Sequence, residues 1–188
     1  MTHTPIIKFA LLGSIPKGDE IRKDWDDWKN EYIKTIKSAL PEASFLNGDL
    51  ISDNLGSELV VGHDLWMIKN SDFIIVNAEN KIGAGTAQEM VIAKKFNQPV
   101  ISIIPKNSHH RKSNIKFDGA ELKEWIHPFL FISSDYVAND IQDAVRWVKN
   151  YLKLGKSEAK NLGVFDKAIR NFEIQAKDMV NEYKKQGW

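Results

Sequence analysis

Asp72-Phe-Ile-Ile-Val76, Gly83-Ala-Gly85-Thr86-Ala-Gln-Glu89 and Pro99-Val-Ile-Ser-Ile-Ile104 follow one another as an apolar run, a glycine turn opening a helical pattern, and a second apolar run. Short, nearly unbroken apolar runs mark strands buried on both faces of a parallel sheet, so the stretch reads strand, loop, helix, strand. The helix is expected over 86–96, with Glu89 in its first turn. Ligands of open α/β sheets bind outside the carboxyl ends of the strands, and a carboxylate delivered there faces the crevice.

Working outward, Ile6-Ile-Lys-Phe-Ala-Leu-Leu12 is a first strand, closed by Gly13-Ser14 and the polar loop 16–19. Trp25, Trp28, Tyr32, Ile33, Ile36 and Leu40 recur at three- and four-residue steps and predict a helix that Pro41 ends. Residues 43–46 are a short strand candidate, 47–54 a loop, and Leu59, Val60, Leu65, Trp66 and Ile68 a helix ending at Asn70. The polar, basic stretch 106–116 has no periodicity and is expected to be a long surface loop. Phe129-Leu-Phe-Ile132 is the candidate for a fifth strand, and Asp135 or Asn139 for the cap of a helix through Val145, Trp147, Val148 and Tyr151. Five alternations of strand and helix imply a doubly wound α/β fold with a five-stranded parallel sheet. The expected division is an α/β domain over 1–154 and an extension over 155–188, a single amphipathic helix with Phe165, Ile169, Phe172, Ala176, Met179, Val180 and Tyr183 on its apolar face. That face would close on the protein's own sheet or form a homo-oligomer seam.

Composition narrows the function. In 188 residues, 43% hydrophobic and 27% charged, the chain has the makeup of a soluble globular protein. With 26 basic against 25 acidic side chains, its net charge of +1 favours neither nucleic acid nor an anionic membrane as partner. The absence of cysteine removes disulfides, thiolate metal sites and thiol nucleophiles and is compatible with a reducing cytoplasm. No apolar run approaches a membrane span, and Met1-Thr-His-Thr-Pro5 lacks the form of a signal peptide, so a cytoplasmic location is expected.

Glu89 admits two readings. Thr86-Ala-Gln-Glu89 has the spacing of a capping box, in which the glutamate curls back onto its own helix. Alternatively Glu89 points into the crevice as a nucleophile, kept ionised by the helix dipole. Asp64 is either a solvated residue on a helix face or a second carboxylate near Glu89, whereas Asp72, just ahead of a buried strand, reads as structural. The turn is not the dinucleotide fingerprint, since Gln88 takes the third glycine position, and no Gly-Lys-Ser/Thr follows to make a Walker loop. His109-His110 suggest a metal only weakly, because adjacent loop histidines point apart.

The order Gly13-Ser14-Ile15, then Asp64-Leu-Trp66, then Asp72-Phe-Ile-Ile-Val76, then Gly85-Thr86-Ala-Gln-Glu89 resembles the nucleoside 2-deoxyribosyltransferase superfamily across 6–148. Its members move 2-deoxyribose between nucleobases or, as 2'-deoxynucleoside 5'-phosphate N-hydrolases, give it to water. The resemblance implies a flavodoxin-like (Rossmann-like) fold and cleavage of an N-glycosidic bond, with Glu89 as the nucleophile and Asp64 as its assisting carboxylate. Gly13, Ser14, Ile15, Gly83, Gly85 and Thr86 would meet the substrate, and Trp66 would stack on the base. It implies no metal and no organic cofactor, a nucleoside or nucleotide as the partner, and a homo-oligomer. Gly83 stands where the hydrolases have a phosphate-binding serine, so a monophosphate would need other ligands, for which Ser108, Ser113 and the basic residues of 106–116 are candidates. A non-catalytic nucleotide-binding module is the alternative from another class.

Overall fold

In a computed structural model, residues 5–46, 48, 53–155 and 158–188 are described. Residues 1–4, on which the reading of the amino terminus rested, and much of the loop expected over 47–54 lie outside them. Five parallel strands form the central sheet: β1 (Ile7–Leu12), β2 (Ala43–Leu46), β3 (Phe73–Asn77), β4 (Val100–Ile103) and a short fifth strand at Tyr136–Ala138. Their order across the sheet is β2, β1, β3, β4 and then that fifth strand. This is the flavodoxin-like arrangement, in which the chain reverses direction across the sheet between β1 and β3 and leaves a crevice at their carboxyl ends.

Alternation along each strand sends side chains to two layers. Phe9 and Leu11 of β1, Phe73 and Ile75 of β3, and Ile101 and Ile103 of β4 pack against α2 (Lys29–Ala39) and a helix at Ile141–Lys153. Ala10, Leu12, Ile74, Val76 and Val100 face the other way, against α3 (Ser57–Lys69), α4 (Ala84–Lys95) and α5 (Pro128–Ser133). Both layers are buried, which is why these strands read as continuous apolar runs.

Five expectations are corrected. Residues 129–132 are helical, not a strand, because Pro128 occupies the first turn, where its missing N–H costs nothing. The fifth strand is Tyr136–Ala138, paired with β4. The stretch 106–116 is largely not a loop: Arg111–Phe117 (β5) pairs antiparallel with Ala120–Ile126 (β6), making Tyr136–Ala138 β7 in chain order. Asp118 and Gly119, both at positive φ, make the two-residue turn that favours a hairpin. The helix after β7, α6 (Ile141–Lys153), is capped by Asp140, whose carboxylate accepts the Asp143 amide at 2.7 Å, rather than by Asp135 or Asn139. The carboxyl-terminal segment is two helices, α7 (Gly163–Gln175) and α8 (Lys177–Lys185), broken at Ala176, and neither buries a residue. Ahead of α2 the chain makes one short turn of helix, α1 (Asp19–Arg22), so Trp25 lies outside the helix that its spacing suggested.

Among the described residues, no helix is long and apolar enough to cross a membrane.

Candidate active site

A cleft of about 550 Å³ opens at the carboxyl ends of β1 and β3, within the size range of small-molecule sites. Three sequence features build it. The loop after β1 supplies Gly13, Ser14, Ile15, Lys17 and, from α1, Asp19 and Arg22. On α3, Val60, Asp64 and Met67 stand at i, i+4 and i+7 and share the face turned to the cleft. On α4, Gly85 and Glu89 are four residues apart and share a face, with Gly83 and Thr86 beside them. Since α3 and α4 pack on one side of the sheet, Asp64 and Glu89 meet across the cleft floor.

The α4 helix begins at Ala84 with Gly83 as its cap, and no side chain caps it. Glu89 is therefore in the second turn, and its carboxyl is hydrogen-bonded to Asp64. A capping box would need Thr86 at the cap, where Gly83 stands. Burial, then the charge of Asp64 and the hydrogen bond with it, push the Glu89 carboxyl up to about 7, while Lys17 pulls it down. The helix-dipole expectation of an ionised carboxylate is thus corrected, because desolvation beside a second carboxylate outweighs it. Near neutrality the pair holds a proton. Asp64 also stands 3.4 Å from Nδ1 of His63.

The glycines differ in what they do. A Cβ on Gly13 would lie 2.7 Å from the Trp28 ring and 3.1 Å from Asn77, so this glycine lets the first loop lie on the aromatic layer beneath. A Cβ on Gly83 or Gly85 would meet nothing within 4 Å. These two keep space open in the cleft. Gly85→Ala is therefore expected to leave thermal stability unchanged or raise it by up to about 1 kcal/mol, alanine being the better helix former. Its methyl group enters the cleft, and a fall in kcat/KM of about tenfold or more is expected alongside the intact melting curve. Parent-like kcat/KM would remove Gly85 from the site.

The Ser14 hydroxyl donates to the Lys81 carbonyl at 2.9 Å, and the Trp28 indole donates to the Ser14 carbonyl at 3.2 Å, tying the β1 loop to the loop after β3. Ser14 thus lines the cleft while its proton is already placed. Trp66 is not among the lining residues and is 58% exposed, because two residues beyond Asp64 is the opposite side of α3. Ser108, Ser113 and the basic hairpin residues also lie outside the lining. Among the described residues, Lys17 and Arg22 are the cations that line it, and sequence reasoning passed over them. Their signal was position: a polar loop at the carboxyl end of β1, beside the point where the sheet order reverses. Asp72 is where a structural aspartate belongs, accepting the Lys8 amide at 2.9 Å. Among the described residues, no cluster of histidine and carboxylate side chains fit for a metal ion occurs.

No family model and no curated protein matches this chain. Solved structures do. The 2-deoxyribosyltransferase of Bacillus psychrosaccharolyticus aligns with a TM-score of 0.50 at 15% identity, over 80% of this chain and 98% of that one. The CMP N-glycosidase of Clostridium botulinum aligns with a TM-score of 0.43 at 14% identity, over 77% of this chain and 98% of that one. This chain has the fold of a 2-deoxyribosyltransferase. At such identities the likeness is one of fold, and the chemistry must be argued from the cleft.

Proposed function

We propose that this protein is an enzyme of the nucleoside 2-deoxyribosyltransferase superfamily. It cleaves the N-glycosidic bond of a 2'-deoxynucleoside through a covalent glycosyl-Glu89 intermediate and transfers the 2-deoxyribosyl group to another nucleobase or to water. The observation that carries the reading is the direct hydrogen bond between Glu89 and Asp64 on the floor of a glycine-walled cleft. Their closeness lies on the side of the about 5–5.5 Å separation of retaining glycosidases rather than the about 6.5–9.5 Å that seats a water in inverting ones, which favours attack by a carboxylate.

A Glu89 oxygen bonds to the anomeric carbon as the carbon–nitrogen bond breaks and its electron pair leaves with the base. The proton held by the Glu89–Asp64 pair neutralises that nitrogen through Asp64. A second base nitrogen or a water then attacks the anomeric carbon, the ester to Glu89 breaks, and the attacker's proton returns to Asp64. Gly13, Ser14, Ile15, Gly83, Gly85 and Thr86 surround the nucleoside in this reading, and Trp66 takes no part.

Lys17 and Arg22 favour a second form of the same reaction, on a 2'-deoxynucleoside 5'-monophosphate, because two cations in a cleft walled by the start of α4 suit a phosphate. Chromatography of the products from each deoxynucleoside and its monophosphate, with and without a second free base, is the test. A new nucleoside that needs the second base means transfer, and free base with 2-deoxyribose 5-phosphate means nucleotide hydrolysis. Saturable binding with no product from any substrate would replace the enzyme by a nucleotide-binding module.

A further inference from the structure

One side chain outside the cleft reaches the turn that shapes it. His110, at the base of the β5–β6 hairpin, is only 7% exposed, and its Nε2 accepts the Ile82 amide at 3.3 Å. Ile82 directly precedes Gly83, the cap of α4, and the residue before it, Lys81, is held from the cleft side by the Ser14 hydroxyl. The two residues leading into the glycine turn are therefore fixed from two different elements.

A ring nitrogen that accepts a hydrogen bond carries no proton, so His110 is neutral and protonated at Nδ1. That Nδ1 is buried and has no hydrogen-bond partner among the described residues. Among the described residues, no carboxylate offsets the flanking imidazoles at the ring. His109 stands edge-on to it at 4.7 Å between ring centres and His127, the cap of α5, at 5.8 Å, and the charge of either opposes a charge on His110. Of the neighbours along the chain, Arg111 turns to Glu124, Ile104 and Asn139. In the loop that His110 holds, Glu79 accepts the Tyr32 hydroxyl and Lys81 is exposed. Burial and the two flanking imidazoles keep His110 below its ordinary 6.5.

We infer that His110 is a positioning residue for the glycine turn: its neutral Nε2 holds the Ile82 amide, thereby sets Gly83, Gly85 and the start of α4 against the cleft, and releases them when protonated. The consequence for turnover rests on the function proposed above, whereas the coupling of His110 to the turn does not. The ligand-free protein is therefore the first object of the test.

Amide and imidazole resonances followed against pH by NMR should show the Ile82 amide moving with the midpoint of the His110 ring, below 6.5, with Gly83 and Gly85 following. In His110→Gln, whose side-chain carbonyl accepts but does not titrate, these amides should stay flat. In His110→Leu they should be displaced at every pH. In turnover, His110→Leu should lower kcat/KM by about 10- to 100-fold, the scale of a misplaced site, and His110→Gln should recover most of it and lose one acidic inflection. An Ile82 amide that ignores the His110 titration, or a His110→Leu protein with parent-like Gly83 and Gly85 resonances, overturns the inference. If His110→Leu does not fold, the parent and His110→Gln titrations decide alone. Absence of turnover in every form, with the amide coupling observed, would strike the proposed function and leave the positioning role standing.

Discussion

Glu89→Gln is expected to abolish turnover while making the folded protein more stable above neutral pH. The amide keeps the volume and the donor that the protonated carboxyl offers Asp64, but it is a poor nucleophile. Loss of a covalent nucleophile lowers kcat by about 10⁴-fold or more. The stability gain follows from proton linkage. The Glu89 carboxyl titrates at about 7 in the folded chain, against an ordinary 4.5. Below that lower value both states hold the proton and the group contributes no difference. Between the two, the folded state binds more protons than the unfolded state, so stability falls as pH rises, and the penalty is complete above about 7. The neutral amide removes it, a gain of about 2–3 kcal/mol at pH 8.5 and none at pH 4. Urea unfolding of both proteins at the two pH values measures this. Because the proton shared with Asp64 must reach the departing base, parent kcat/KM should fall as pH rises through about 7 and the pair loses it. A capping glutamate would behave oppositely: its loss would destabilise the helix and leave turnover intact. Retained activity in Glu89→Gln would therefore end the nucleophile assignment.

What could be read from the sequence follows from what burial does to composition. The four longer sheet strands sit between two helical layers and, apart from the exposed Lys8 near the start of β1, carry no charge, so the apolar runs stand out. The β5–β6 hairpin lies outside those layers, with most of its residues exposed. Its strands therefore look like a polar loop, and the informative residues were Asp118-Gly119 at the turn rather than any periodicity. Phe129-Leu-Phe-Ile132 misleads for the converse reason: four apolar residues suit a buried strand or a short helix equally, and Pro128 was the feature that separated them. In the cleft, Gly83, Gly85 and Glu89 lie within one local motif and were visible as such. Lys17 and Arg22 come from the segment after β1 and His110 from the base of the β5–β6 hairpin, all distant in sequence, and only the tertiary fold brings them to that motif. The direction of the Glu89 shift was hidden likewise, since the dipole is a local property and the burial beside Asp64 is not.

Asp135→Ala is expected to produce the largest loss of stability of any single change here. Asp135 stands just before β7 with its side chain 8% exposed, and beside it the Lys94 side chain is wholly buried. One carboxylate oxygen receives the Lys94 ammonium and the Val100 amide, the latter at 2.7 Å, and the other receives the Lys160 amide at 2.7 Å. Lys94 has one further acceptor, the Gln98 carbonyl at 3.0 Å. A single side chain thus neutralises the buried cation of α4, closes the amide that begins β4, and fastens the segment leading into α7. Burial already presses the Lys94 ammonium towards its neutral form, and Asp135 is what opposes this. Removing one partner of a buried pair leaves the other charged and unsolvated, at a cost of about 3–5 kcal/mol. Urea unfolding of Asp135→Ala at pH 7 should show a loss of that size. Adding Lys94→Met should recover much of it, because replacing a whole buried pair by apolar groups is near neutral. Limited proteolysis tests the anchor: with the Lys160 contact gone, cleavage between α6 and α7 should accelerate in Asp135→Ala, and Lys94→Met should not restore resistance there. A variant within about 1 kcal/mol of the parent, or one in which Lys94→Met restores both stability and resistance, would show that the charge pair and the anchor are not joined through Asp135.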